Sequence, residues 1–192
     1  MSIRINEAAA ALTGALRLAR FDAGGLAYFD LRPQALMRSF WAAGLVAPFF
    51  LLLLILRHVE TVSGAVLLHD LAVEMLSYAI AWLAFPVVMA FLARPLDCER
   101  RYVPYIIVYN WCGAIQNAVY LPIAILGAVG LLSSGTTNFL ALIAILWVLA
   151  YSFFVARNVL GVSPPTAFGI VVLDLVMGIV IDAFTNRFVI GY

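Results

Sequence analysis

Lysine is absent from this chain, and charged residues of any kind are scarce. All eleven basic residues are arginine, and charged side chains make up 11% of the 192 residues, against 66% that are hydrophobic. Between Arg101 and Arg157 the chain runs for 55 residues without a single charge. As one helix this run would be roughly 80 Å long, whereas the hydrocarbon core of a bilayer is about 30 Å thick, so it has to fold back on itself. The composition excludes an ordinary soluble domain and predicts an integral membrane protein.

Other scarcities exclude whole classes of function. The net charge is only +1 and no span supplies a clustered basic surface, so the chain is not expected to bind nucleic acid. Cys98 and Cys112 are too few for a disulfide framework and are interpreted as free thiols. The sequence also lacks a glycine-rich phosphate loop, a nucleophile elbow and a zincin motif, so neither an enzymatic activity nor a cofactor is expected.

One loop and the helix that follows it combine histidine with carboxylates, as a metal site would. These residues are His58, Glu60, His69, Asp70 and Glu74. Their spacing is looser than that of zinc ligands, and ordinary solvated loop charges explain them better. No metal site is therefore expected.

Five apolar segments are long enough to cross a bilayer as helices, at about residues 39–56, 71–93, 103–132, 139–156 and 166–184. The polar residues 133–138 are the predicted turn that divides the uncharged run into two spans. Ser163-Pro164-Pro165 is a helix-start signal for the fifth span. The predicted fold is all-α and polytopic, with residues 33–192 forming a five-helix transmembrane domain.

The arginines predict the orientation of these spans. If the five spans alternate in direction, only Arg57 and Arg187 fall on one side of the membrane. The other nine arginines fall on the opposite side: Arg4, Arg17, Arg20, Arg32, Arg38, Arg94, Arg100, Arg101 and Arg157. Because cytoplasmic loops carry an excess of basic residues, the N-terminus is predicted to be cytoplasmic and the C-terminus to lie outside. The use of arginine alone favours a bacterial inner membrane. Arg100, Arg101 and Arg157 are predicted to contact lipid headgroups.

Residues 1–32 precede the first span and carry an amphipathic pattern. On a helical wheel seven apolar residues fall on one face: Ile5, Ala8, Ala9, Leu12, Ala15, Leu16 and Ala19. The pattern predicts a short helix lying in the cytoplasmic interface of the bilayer. A solvated helix docked on the loops is an equal alternative, because alanine buries little area.

Polar residues inside the predicted spans are the candidate functional residues. An ionisable group at the bilayer centre costs roughly 2.5 kcal/mol or more, so Asp174 in span five requires a partner or a role. Gly178 and Asp182 lie on nearly the same face of that span. Span three offers a matching stripe of small and amide side chains, formed by Asn110, Gly113, Ala114 and Asn117. Since these residues lie at similar depths, the two helices are predicted to pack through these faces.

Two interpretations of this intramembrane polar cluster are open. In the structural one, Asp174 forms hydrogen bonds to amides and fixes the register of the helices. In the functional one, it is a proton or cation site. The lack of a basic partner within the membrane favours the structural interpretation.

Short motifs are distributed over most of residues 33–190. Arg100-Arg101 leads into a third span with Pro104, Tyr105 and Pro122, the fourth span ends in Arg157, and Gly161-Val162-Ser163 precedes the fifth. This arrangement resembles the Yip-type family of five-span membrane proteins, whose eukaryotic members act with small GTPases in membrane traffic. The cytoplasmic N-terminus predicted from the arginines is part of this resemblance. The acidic, aromatic cytoplasmic motif of the eukaryotic branch is missing here, so the resemblance implies no GTPase partner and no site residues.

Three functions follow as hypotheses. The first is a non-enzymatic membrane protein that acts by association in the bilayer, either with itself or as an accessory subunit of a larger complex. The second is a small channel or transporter with a polar pathway around Asp174. A polar stripe through both leaflets would favour the second, and an isolated buried pair the first. The third is a protein that senses or shapes the membrane through its N-terminal helix.

Overall fold

The computed structural model describes residues 5–58 and 64–189. Within these residues every regular element is a helix and no strand is present, so the predicted all-α class is confirmed for them. In chain order the elements are α1 (Ile5–Leu18), a 3-10 helix (Ala23–Tyr28), α2 (Pro33–Ser39), α3 (Trp41–His58), α4 (Ala65–Leu92), α5 (Glu99–Ala128), α6 (Ser134–Leu160) and α7 (Pro164–Thr185).

Five helices are long and apolar enough, by length and composition, to cross a membrane. They are α2 and α3 taken together as Pro33–Arg57, α4, α5, α6 and α7. Each corresponds to one predicted span. Most extend further than predicted because charged residues just outside the predicted spans, such as Asp70 and Arg101, remain helical. The first span begins at Pro33 instead of residue 39, and α2 and α3 are separated at Phe40.

Serine side chains begin helices α6 and α7. Ser133 Oγ accepts a hydrogen bond from the backbone N–H three residues later at 3.2 Å, and Ser163 Oγ accepts the equivalent bond at 3.4 Å. Such caps satisfy N–H groups that have no partner inside the helix. The predicted helix start at Ser163 is confirmed. The predicted turn at residues 133–138 is wrong by a few residues, because the chain turns at 129–133 and α6 then begins at once.

Helix α5 occupies the centre of the bundle. It packs against α1, α2, α3, α4 and α6, whereas α7 packs against α4 and α6. Eleven of its residues are buried, and they include Tyr105, Asn110 and Trp111. A helix enclosed in this way buries side chains on several sides, so its sequence shows no single apolar face.

Helix α1 is docked on the bundle. Ala11, Ala15 and Leu18 are buried, and α1 packs against α5, α6 and the 3-10 helix. The Tyr151 hydroxyl of α6 donates a hydrogen bond to the Ala15 carbonyl oxygen at 2.7 Å. The 3-10 helix returns so close to α1 that a Cβ placed on Gly14 would lie 2.7 Å from a carbonyl oxygen of that helix. The N-terminal segment and the spans therefore share one core.

The predicted apolar face of this helix is divided between two environments. Its inward part packs on the core through Ala8, Leu12, Ala15 and Ala19. The remaining members, Ile5, Ala9 and Leu16, are exposed. Ala11, Gly14 and Leu18, which lie outside the predicted face, are buried instead. The buried face of α1 is thus rotated from the predicted apolar face. The alternative prediction placed this helix on loops, whereas its buried face contacts α5, α6 and the 3-10 helix.

Candidate functional site: the polar residues of the bundle

Asp174 lies near the middle of α7, about 15 Å along the helix axis from Pro164. The Tyr109 hydroxyl of α5 donates a hydrogen bond to Asp174 Oδ1 at 2.9 Å, and the Phe85 ring lies 4.6 Å from the Tyr109 ring between centroids. Asp174 is partly exposed. Among the described residues its Oδ2 has no hydrogen-bond partner, and protein does not enclose it. One carboxylate oxygen is therefore held inside the bundle, and the other is accessible from the surface.

Asn110 turns to another side of α5. It is fully buried, and its Nδ2 donates a hydrogen bond to Ser39 Oγ of α2 at 2.8 Å. The Ser39 hydroxyl in turn donates to the Leu36 carbonyl oxygen at 2.7 Å. Asn110 Oδ1 is buried and has no hydrogen-bond partner in the part of the chain that the structure describes. This pair joins the first span to α5 and is separate from the Asp174–Tyr109 pair.

The other members of the predicted stripe on α5 contact neither pair. Asn117 Nδ2 donates a hydrogen bond to the Gly113 carbonyl oxygen of the same helix at 2.9 Å. Gly113 faces α4, where a Cβ would lie 3.2 Å from the Trp82 ring. Ala114 is buried and borders a largely apolar cavity of about 380 Å³ between α1, α3 and α5.

The prediction that spans three and five pack through these stripes is wrong. On α7, Asp182 is exposed and a Cβ on Gly178 would meet no atom within 4 Å, so neither residue faces α5. Asp174 does reach α5, but through the long side chain of Tyr109. Tyr109 precedes Asn110 by one residue, which is about 100° of rotation on an α-helix. The stripe of small residues was therefore assigned to the wrong side of α5.

Three hydroxyl residues make contacts between helices without being among the candidates predicted from the sequence, namely Ser39, Tyr109 and Tyr151. Serine and tyrosine are common in membrane proteins, so residue type alone gave no signal. Tyr109 and Asp174 each lie ten residues after the first residue of their helix, and both helices start at the same end of the bundle, so the two side chains have similar depths. Depth alone could not have selected Tyr109, because Asn110 differs from it by only about 1.5 Å along the axis.

The three arginines predicted to contact headgroups differ in their surroundings. Arg100 and Arg101 are exposed at the start of α5. The Arg101 guanidinium lies against Gly161, where a Cβ would overlap it. Arg157 is half-buried and donates a hydrogen bond to the Val162 carbonyl oxygen. A cation at this position stabilises the negative end of the α6 dipole.

Ion pairs hold the N-terminal segment to the first span. The Arg38 guanidinium lies 2.8 Å from Glu7 and 3.1 Å from Asp30, and Arg32 lies 2.8 Å from Asp30. Hydrogen bonds from Arg32 and the positive charge of both arginines lower the pKa of the Asp30 carboxyl to about 2. This network fixes α1 beside α2 at the entrance to the first span.

Metal ligands and thiols are the other candidates for chemistry among the described residues. Among them, no group of three or more histidine, cysteine, aspartate or glutamate residues could hold a metal ion. Glu60, part of the loop considered above, lies outside the described residues. Burial raises the pKa of the Cys98 thiol, which therefore stays protonated and weakly nucleophilic near neutral pH. What the polar groups can do is join helices and, at Asp174, bind a group outside the bundle.

Comparison with protein-family models, with curated proteins and with solved structures finds no match to this chain. The Yip-type resemblance therefore stays a prediction from short motifs. The function has to be inferred from the residues themselves.

Proposed function

We propose that this chain is a non-enzymatic integral membrane protein that acts by associating with other helices inside the bilayer. The accessible Oδ2 of Asp174 carries this proposal. Lipid tails offer no hydrogen bonds, so a carboxylate at this depth is stabilised when a protein partner supplies a donor. The surrounding surface of α7 suits such a partner, since Leu175 and Ile179 are exposed and Gly178 allows another backbone to come close.

The charge of Asp174 favours one kind of partner over a second copy of this chain. All eleven basic residues lie outside the central part of the five predicted spans. A second copy therefore has no cation to place opposite Asp174 at this depth. A different membrane protein with arginine, lysine or histidine inside a span would complement the carboxylate. The role that fits best is that of an accessory subunit of a larger complex, with a homo-oligomer as the alternative.

The arrangement of the other polar groups supports association over transport. Together with Asp174 they form pairs at different helix contacts, which include Asp174 with Tyr109, Asn110 with Ser39, Gln116 with Ser152, and Ser77 with Thr185. A channel or transporter needs polar groups that follow one another along a pathway. Isolated pairs instead fix the positions of helices relative to one another.

Membrane sensing by the N-terminal helix is less well supported. An amphipathic helix binds lipid through its apolar face. Ala11, Ala15 and Leu18 of α1 are already buried against protein, and Glu7 is paired with Arg38. This part of the apolar surface is therefore unavailable to lipid, and Ile5 and Leu16 are the large apolar side chains of α1 that stay exposed.

The proposal includes a cytoplasmic N-terminus, an outer C-terminus and a bacterial inner membrane. Arg101 lies against Gly161, so the α4–α5 and α6–α7 connections share one end of the bundle, and Arg94 belongs to that end. Arg57 borders Ser134 at the other end. The positive-inside rule assigns the arginine-rich end to the cytoplasm. A role in membrane organisation like that of the Yip-type family is compatible with this orientation.

A designed pair of helices tests the association. The protein is reconstituted in phosphatidylcholine vesicles with a labelled polyleucine helix that carries one central lysine, or with the same helix without lysine. Energy transfer should show about tenfold tighter association with the lysine helix, because a hydrogen bond to a charged group contributes roughly 1.5 to 3 kcal/mol. Asp174→Asn keeps the acceptor for Tyr109 but removes the charge, and it should abolish the difference.

Asp182→Asn is the matched control, because it removes an exposed acid from the same helix. It should leave the preference for the lysine helix unchanged. Equal binding of both helices to the natural chain would contradict the proposed role of Asp174. Energy transfer between two labelled copies that disappears in Asp174→Asn would replace the accessory subunit with a homo-oligomer.

A further inference from the structure

The arginine-rich end of the bundle contains an open cavity of about 530 Å³ between the α4–α5 connection and the end of α6. Arg94, Arg100 and Arg101 line it, together with Asp97 and Glu99. Three positive charges face two negative ones, so the cavity has a net charge of +1. Its size exceeds what a single phosphate group occupies, and it leaves room for a larger headgroup.

The three arginines have no acidic partner among the described residues. The ion pairs found there join other side chains, and no carboxylate lies within 4 Å of the Arg94, Arg100 or Arg101 guanidinium. Guanidinium groups bind phosphate oxygens with two parallel hydrogen bonds, and a phosphate therefore matches them. Asp97 and Glu99 accept hydrogen bonds, and they complement a headgroup that also carries hydroxyl groups.

A continuous apolar stripe on α4 leads into this cavity. Leu83, Val87 and Phe91 are exposed by 52%, 54% and 77%, and Arg94 is exposed at the end of the same series. Steps of four residues place Leu83, Val87 and Phe91 on one face of α4, and Arg94 follows two residues after that helix ends. From Leu83 to Phe91 the distance along the axis is about 12 Å, a little less than half the thickness of the hydrocarbon core. An acyl chain could thus follow the stripe while its headgroup lies in the cavity.

We propose that this cavity binds the headgroup of an anionic phospholipid, with the phosphate on the three arginines and an acyl chain along the α4 stripe. The juxtaposition of a basic cavity with an exposed apolar stripe distinguishes a bound lipid from a soluble phosphate compound, which would need no stripe. Basic pockets at the cytoplasmic ends of transmembrane helices are suited to anionic headgroups. Phosphatidylglycerol, with one negative charge and two headgroup hydroxyls, has the chemistry that the cavity requires.

Titration of the purified protein with defined lipids tests this site. Native mass spectrometry in a neutral detergent should show about tenfold tighter retention of phosphatidylglycerol than of phosphatidylcholine, whose headgroup carries no net charge. The triple variant Arg94→Gln, Arg100→Gln, Arg101→Gln should bind phosphatidylglycerol about a hundredfold more weakly. Each basic residue near an anionic headgroup contributes a factor of about five to the affinity. Arg20→Gln, an exposed arginine outside the cavity, should bind as the natural chain does.

Two further variants keep the test decisive if the triple variant fails to fold. Arg94→Lys preserves the charge but not the paired hydrogen bonds, and it should bind more tightly than Arg94→Gln. Phe91→Ala should weaken lipid binding several-fold, because it removes apolar contact area. Phe139→Ala should leave lipid binding unchanged, because Phe139 is exposed at the other end of the bundle. Equal retention of the two lipids, or full displacement of lipid by millimolar glycerol phosphate, would overturn the proposal.

Discussion

Helices α5 and α7 are both apolar spans, yet they occupy different environments. In the most apolar stretch of α5, 33% of the residues are buried, against 17% in α7. Each carries a polar side chain near mid-depth. Asn110 of α5 is fully buried, whereas Asp174 of α7 is partly exposed. Asn110 of the central helix stabilises the fold through its hydrogen bond to Ser39. Asp174 of the outer helix uses only Oδ1 within the described part of the bundle, and its Oδ2 is free to accept a hydrogen bond from another molecule.

In soluble proteins the most apolar segment is usually the most buried one, and helices α5 and α7 show the opposite order. Mean hydropathy is 1.3 for α5 and 2.3 for α7, so the less apolar helix is the more buried one. Lipid selects apolar side chains for the outside of a bundle, and only the interior supplies partners for polar ones. The low hydropathy of α5 therefore agrees with its central position, and a polar residue on an outer helix such as α7 is a stronger sign of function.

A glycine-to-alanine substitution should have opposite effects on stability in α1, which packs closely against the 3-10 helix, and in the exposed part of α7. Gly14→Ala should destabilise the protein by about 2 to 3 kcal/mol, because overpacking against a backbone oxygen 2.7 Å away outweighs the better helix propensity of alanine. Gly169→Ala in α7 meets no atom within 4 Å and should stabilise by up to about 1 kcal/mol. Thermal unfolding in detergent measures both. A loss of stability in Gly169→Ala would show that α7 is packed as tightly as the N-terminal region.

The fully buried Asn110–Ser39 pair should contribute more to stability than the partly buried Tyr109–Asp174 pair. Ser39→Ala removes the partner of Asn110 Nδ2 and should cost roughly 1 to 2 kcal/mol, because a buried donor is left without an acceptor. Adding Asn110→Leu should recover part of this loss, since no polar group then lacks a partner. The free energy of unfolding of the single and double variants gives the coupling. An unchanged stability in Ser39→Ala would mean that water replaces the hydroxyl.

The number of spans could be predicted from the sequence, but the contacts between them could not. Length and hydropathy act locally, so each of the five spans corresponds to a helix in the structure. Contacts depend on rotation about the helix axis, and an error of one residue replaced Tyr109 with Asn110 as the partner of Asp174. The stripe on α5 was also misleading because Gly113 accommodates Trp82 of α4. A small residue such as Gly113 indicates that a large side chain can pack against it, but it does not indicate which helix carries that side chain.

The outer pair should have a smaller effect on folding than the buried pair. Tyr109→Phe removes the hydroxyl that donates to Asp174 and should cost about 0.6 kcal/mol, the average for such bonds in membrane bundles. Binding of the lysine helix described above should persist, because the carboxylate is kept. Tyr120→Phe is the control, since Tyr120 is exposed. A loss of several kcal/mol in Tyr109→Phe would show that this pair is part of the structural core.

A fall in pH should act mainly on the N-terminal segment, through Asp30. The pKa of Asp30 is about 2 in the folded protein, below the usual value for aspartate of about 3.9. A lowered pKa stabilises the folded state above the usual value, and this contribution is lost as the pH falls from about 4 to 2. Limited proteolysis between the 3-10 helix and α2 should therefore become faster over that interval. Asp30→Asn should already be cleaved faster at pH 7 and should show less pH dependence. If it behaves as the natural chain does, the ion pairs of Asp30 with Arg32 and Arg38 do not hold the connection between the 3-10 helix and α2 in place.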